Sequence, residues 1–155
     1  HRGAARQQPA AQLEAVVAHE YGHQARHHLP KAIAWYALFT IPLAYLIAVV
    51  ARRRGGMQRP EAIPLALLVF VVFALLKTPF QAAITRHMEA EADWAALETT
   101  ENPAAAKRLF RGFSTELYAD PKPPTWAYLL MESHPTVIQR IEMAEAWNDR
   151  QRGAP

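Results

Sequence analysis

Two histidines four residues apart, with a glutamate directly after the first, form the segment His19-Glu20-Tyr21-Gly22-His23. On a helix His19 and His23 share one face, so their imidazoles can hold one metal ion between them. Glu20 then stands beside the pair, within reach of a water molecule that zinc makes acidic, and is the candidate general base. The motif is short and arises by chance. The bland alternative is a helix with a polar, histidine-rich end, since His27 and His28 follow closely. The helix-forming run Ala15-Val16-Val17-Ala18 that leads into it supports the metal reading.

The third ligand must come from elsewhere. Metzincin peptidases place a histidine six residues after the second one, but position 29 is Leu29. His27 fails on length: histidines on three successive turns spread over about 12 Å of axis, too far for one zinc with bonds of about 2 Å. The chain has no cysteine, which excludes thiolate ligands and disulfides. The run Arg86-His87-Met88-Glu89-Ala90-Glu91-Ala92-Asp93 supplies a carboxylate. Glu89 and Asp93 are four apart and share a face, while Glu91 points elsewhere. Glu89 completes a two-histidine, one-glutamate set with a fourth position left open. Asp93 can accept a hydrogen bond from a ligand histidine and fix its tautomer. Without the histidine motif the same run reads as a solvated acidic face.

Ser133-His134-Pro135 and the nearby Arg140 form a third candidate piece. A lone histidine is more often structural than catalytic. Its proposed role is to donate to the oxyanion of a transition state, with Arg140 anchoring its helix to a carboxylate near the site.

The elements that must carry these residues are mostly helical. Residues 10–29 read as a helix ended by Pro30, with a loose polar segment at 1–9. Residues 32–51 hold no charge, which matches the roughly 20 apolar residues needed to cross a bilayer. Trp35 and Tyr36 suit one membrane interface, and Arg52, Arg53 and Arg54 flank the other end. A basic, glycine-containing turn at 52–60 precedes a second apolar block at 62–84, interrupted only by Lys77, which must snorkel or face a polar cavity. The alternative for both blocks is a pair of buried helices in a soluble bundle. Further helices are expected at about 80–98 and 102–118. A break follows at Asp120-Pro121-Lys122-Pro123-Pro124. A last helix is expected from near Pro135, with the proline in its first turn, to about Trp147. No repeat and no strand is expected, and length suggests one domain over 1–155. The net charge of +3 and pI near 9.4 come without a basic run or interleaved aromatics, which argues against nucleic acid as a partner.

Taken in order, these pieces resemble the integral-membrane zinc metallopeptidases of the CAAX prenyl protease type I family, to which the bacterial heat-shock protease HtpX is related. Ala18 to His23 match an A-H-E-x-G-H helix, and Glu89 to Asp93 match E-x-x-A-D. Ser133 to Ile141 match S-H-P-x-x-x-x-R-I, and the run from Asp120 to Trp126 looks like bacterial members. The resemblance implies an all-α, zincin-like gluzincin core with two transmembrane helices between the first two motifs. It implies one zinc ion per chain on His19, His23 and Glu89. It further implies Glu20 as catalytic base, and His134 with Arg140 in transition-state support. The implied activity is endopeptidase cleavage of membrane proteins or peptides at a bacterial cell membrane, with peptide substrate and membrane lipid as partners.

The family carries further segments before its first motif, so this chain is expected to be the later part of a longer membrane protein. Tyr21 stands where the family usually has leucine, a packing change. On topology two indications oppose each other. The arginines of the turn, Arg52, Arg53, Arg54 and Arg59, favour a cytoplasmic turn, whereas the resemblance implies a site facing the cytoplasm. Two non-enzymatic readings remain beside the peptidase. A zinc-keeping scaffold has no need of Glu20. A metal carrier built on His19, His23, His27 and His28 lacks an acidic path through the apolar blocks.

Overall fold

The computed structural model describes residues 2–56, 58–116 and 120–153. Among these residues there are six helices and no strand: α1 (Arg2–Ala25), α2 (His28–Arg53), α3 (Ala62–Thr100), α4 (Pro103–Glu116), α5 (Thr125–Met131) and α6 (Val137–Gln151). The helical class and the two long apolar helices agree with the sequence expectation.

Several boundaries differ from it, each for a local reason. The helix of the first motif begins at Arg2 rather than near residue 10, so the polar segment at its start is helical. Its end is not set by Pro30. The chain breaks earlier, where His27 takes a left-handed conformation with φ of 55°, and Pro30 falls in the first turn of α2. Proline is tolerated in a first turn because the amide it lacks has no partner there. The second apolar block and the acidic helix are one 39-residue element, α3, which runs through Pro79. Glu101, at φ of 49°, follows its last turn. Helix α5 was not expected at all. Helix α6 starts at Val137, two residues after Pro135, which lies outside it: Thr136 is the N-cap, accepting from the Gln139 amide while the Gln139 side chain accepts from the Thr136 amide. Asn102 caps α4 in the same manner, its side chain accepting from the Ala105 amide, with Pro103 at the first helical position.

The chain forms two compact units, His1–His28 with Ala82–Pro155, and Leu29–Gln81. In the first, helix α4 packs on α6 and on α1. Its core holds Leu97 of α3, Ala106 and Phe110 of α4, and Val137, Ala144 and Trp147 of α6. Helices α1 and α3 meet through small residues. Ala15, Ala18 and Gly22 are buried on one face of α1, and Ala92 and Ala96 on one face of α3. A Cβ at Gly22 would lie 3.1 Å from the Ala92 carbonyl oxygen and 3.1 Å from the Ala95 Cβ.

The second unit carries the apolar parts of α2 and α3. Both helices are long and apolar enough to cross a membrane, and their most apolar windows hold no buried residue. Core helices of a soluble bundle would be covered, and within this chain these windows are not. Large side chains such as Ile41, Tyr45, Leu67 and Leu75 stand exposed instead. At 1.5 Å per residue α2 is about 39 Å long, enough for a hydrocarbon layer of about 30 Å. Lys77 sits with its ammonium 5.9 Å from the centre of the Tyr36 ring, a favourable contact for a cation in an apolar setting.

Candidate metal centre

The centre is assembled in the first unit from α1, α3 and the turn before α6. The i,i+4 spacing on α1 puts His19 and His23 side by side, with their Nε2 atoms 3.1 Å apart. Helix α3 brings Glu89 opposite: His19 Nε2 lies 3.4 Å from Glu89 Oε2, and His23 Nε2 lies 3.5 Å from Glu89 Oε1. These three side chains are the group of metal-binding type found among the described residues. A tetrahedral zinc with bonds of about 2.0–2.1 Å spaces its ligand atoms about 3.3 Å apart. The distances between the three residues match that spacing, so nitrogen and oxygen donors of the right kind converge on one point. His27, by contrast, is exposed on the left-handed turn, away from this cluster.

A second layer orients the first. His19 Nδ1 is 2.9 Å from Asp93 Oδ1. Asp93 is almost fully buried, and Arg140 Nη2 donates to the same Oδ1 atom. The Arg140 guanidinium in turn lies 4.4 Å from the Phe110 ring centre and 5.4 Å from that of Phe113. The core aromatics of α4 therefore hold the cation that faces the carboxylate.

His23 also has a partner behind it, and this one escaped the sequence reading. Its Nδ1 lies 2.8 Å from His28 Nδ1, and His28 Nε2 lies 3.0 Å from Glu91 Oε2. His28 is buried. Glu91 does point away from Glu89 and Asp93 on its helix, as the spacing indicates, but it points at His28. The signal that could have found this pair is the Glu-x-Glu-x-Asp offset of residues 89–93 combined with a helix break at His27, which reverses His28 toward the helix it has just left.

His134 and Glu20 complete the surroundings. His134 Nε2 lies 3.4 Å from Glu89 Oε2, and Ser133 Oγ lies 2.9 Å from His134 Nδ1. Arg86 donates to the carbonyls of Tyr128 and Glu132 and stacks 4.6 Å from the Tyr128 ring centre, which ties α5 and the loop after it to α3. His19, Glu20, Glu89, His134 and Arg140 all line one cavity of about 410 Å³, whose far wall is apolar and includes Leu109 and Phe113.

Electrostatics sharpen the contrast between the two histidines. Burial lowers the pKa of His19, but the bonds to Asp93 and Glu89 outweigh it and raise the value from 6.5 to about 9. His23 is pushed below 6.5, by burial first and by the charge of His19 second. Without metal, the proton of the pair therefore resides on His19.

The comparisons with known proteins follow the same line. Residues 6–148 match the model of peptidase family M48. The chain is 31% identical to the uncharacterized metalloprotease YhfN of Bacillus subtilis (strain 168), an alignment covering 84% of this chain and 33% of that protein. It is 32% identical to a protease HtpX homolog of Acaryochloris marina (strain MBIC 11017), over 90% of this chain and 54% of the relative. The chain thus spans between a third and about half the length of these curated relatives. No solved structure matches it.

Proposed function

Since the chain belongs to peptidase family M48, we propose that it is the catalytic part of a zinc-dependent, membrane-associated endopeptidase of the gluzincin type. The observation that carries the reading is the convergence of His19 Nε2, His23 Nε2 and the Glu89 carboxylate at tetrahedral spacing. These residues would hold one zinc ion per chain. Zinc bound there would polarise a substrate carbonyl and make water acidic near neutral pH.

The remaining steps belong to the chain's own side chains. Glu20 lines the cavity beside the ligands and takes the proton from the attacking water, then returns it to the leaving amine. Ser133 Oγ is 2.9 Å from His134 Nδ1; in the tautomer that accepts there, His134 carries its hydrogen on Nε2, 3.4 Å from Glu89, where it steadies the oxyanion. Asp93 keeps His19 in the tautomer whose Nε2 is free to ligate, and Arg140 holds Asp93 in place by donating to the same oxygen. Peptides or membrane proteins are the substrate class, and the two apolar helices of the second unit anchor the chain in lipid, in a bacterial cell membrane.

The experiment is metal analysis of the purified protein together with peptide cleavage by wild type and Glu20→Gln. About one zinc per chain and loss of cleavage in the variant, with zinc retained, are expected. Cleavage that persists in Glu20→Gln would sink the mechanism, and a wild type without zinc would sink the ligand set.

A further inference from the structure

Each of the two ligand histidines uses Nε2 toward the centre, which leaves each with an Nδ1 that must carry hydrogen and needs an acceptor. For His19 the acceptor is Asp93. For His23 the atom at hydrogen-bond distance is Nδ1 of His28, a ring nitrogen and not a carboxylate. We infer that His28 and Glu91 form a two-link tether that locks His23 in its metal-binding tautomer, with Glu91 acting on His23 through His28. The inference rests on the reading of His19, His23 and Glu89 as a zinc site.

The hydrogen count leaves one consistent arrangement. If Nε2 of His23 is to ligate, its Nδ1 donates to Nδ1 of His28. A ring that accepts at Nδ1 in its neutral form carries its hydrogen on Nε2. His28 Nε2 then donates to Glu91 Oε2, 3.0 Å away. Turning any ring of the chain breaks at least one link. His28 is only 4% exposed, so water cannot substitute for the lost partner. Glu91 has His87 Nε2 3.7 Å from its other oxygen, but His87 is exposed and adds only a weak contact.

The backbone explains how the tether comes about. The left-handed His27 ends α1 and starts α2 at His28 within two residues, which turns the His28 ring back onto His23. Helix α3 therefore serves the centre three times: Glu89 as ligand, Asp93 directly behind His19, and Glu91 indirectly behind His23. His28 and Glu91 are positioning residues, since neither belongs to the ligand set and both act through His23.

The test uses the full chain in detergent and reads zinc affinity by competition with a chromophoric chelator. The variants are His28→Ala, Glu91→Gln, the double variant and, as a control, Glu98→Gln on the exposed side of α3. Loss of a partner behind a ligand histidine typically costs about 10–100-fold in affinity. His28→Ala is expected in that range, and Glu91→Gln at about threefold or more, because an amide accepts more weakly than a carboxylate. The double variant should bind no more weakly than His28→Ala, since one cut already severs the tether, and Glu98→Gln should match wild type. Nitrogen-15 NMR of labelled histidine supplies a readout that general loosening would not mimic. His23 should be a single Nδ1–H tautomer in wild type and a mixture in His28→Ala. If His28→Ala does not fold, Glu91→Gln decides, because its side chain is partly exposed and its shape is preserved. A wild type that binds zinc while Glu91→Gln and every folded His28 variant bind within twofold of it overturns the tether alone. A wild type that binds no zinc overturns the metal reading, and the tether with it.

Discussion

Gly22 of α1 rests directly against the backbone of Ala92 on α3, with room for a hydrogen atom but not for a methyl group. The two residues bring the histidine helix and the carboxylate helix into backbone contact. The candidate ligands lie within one turn of it: His19 and His23 flank Gly22, and Glu89 lies one turn before Ala92, with Asp93 next to that alanine. Helix separation here sets the distance between donors that a metal must bridge.

Enlarging Gly22 should therefore loosen the centre before it unfolds the chain. Gly22→Ala puts a carbon 3.1 Å from the Ala92 oxygen, and the neighbour that must yield is backbone. Overpacking of this sort costs about 1–3 kcal/mol. Gly22→Val should do more, and lower zinc affinity by about tenfold or more in the chelator competition. Equal affinity in a folded Gly22→Val protein would contradict the role given to this contact.

Arg140→Ala should be among the most damaging single changes. Asp93 is 2% exposed and Arg140 8%, so removing the guanidinium strands a buried carboxylate. Breaking such a pair costs about 3–5 kcal/mol, and here it also removes the cation seated against Phe110 and Phe113. Thermal unfolding of the metal-free protein measures the loss. Adding Asp93→Asn to Arg140→Ala should recover part of the stability while leaving zinc binding weak.

Zinc binding should release close to one proton per ion at pH 7. The pKa of His19 stands at about 9 in the metal-free protein, so its Nε2 hydrogen is displaced when a metal binds. Affinity should rise about tenfold per pH unit from pH 7 and level off near pH 9. The stability of the metal-free fold runs the other way. The folded pKa exceeds the unfolded value of 6.5, so the contribution is complete below 6.5 and is lost as pH rises through about 9. Calorimetry in buffers of differing ionisation heat counts the protons. A release near zero at pH 7 would mean that His19 is neutral there.

His134→Ala should leave zinc content and KM near wild type and lower kcat by about 10²–10³, the usual cost of one oxyanion donor. The residue is half-exposed and belongs to no helix, so its removal should not move the melting temperature. A drop in zinc content of the same size would instead assign His134 to holding Glu89.

Much of the centre was legible because it obeys helix periodicity. His19 with His23, and Glu89 with Asp93, are i,i+4 pairs, and a period is visible in any sequence. The partner of Asp93 was legible only as a type: Arg140 had to meet a carboxylate, and which one depended on how α6 packs. The tether from His28 was only half legible: the offset of Glu91 shows in the sequence, but the backbone angle at His27 that turns His28 toward it does not. The start of α1 was misplaced because its first turns hold no apolar residue larger than alanine. Helix α5 was missed because its seven residues span barely two turns, too short for a period.

The links from Phe110 and Phe113 through Arg140 to Asp93 and His19 have a consequence in time. Synthesis delivers His19, His23 and Glu89 first, and the arginine that balances Asp93 arrives only with the last helix. A half-made chain then holds all three ligands but carries an uncompensated buried carboxylate behind one of them. The cluster is completed only once α6 has been made, and a product cut short before α6 would hold His19, His23 and Glu89 without the arginine that faces Asp93.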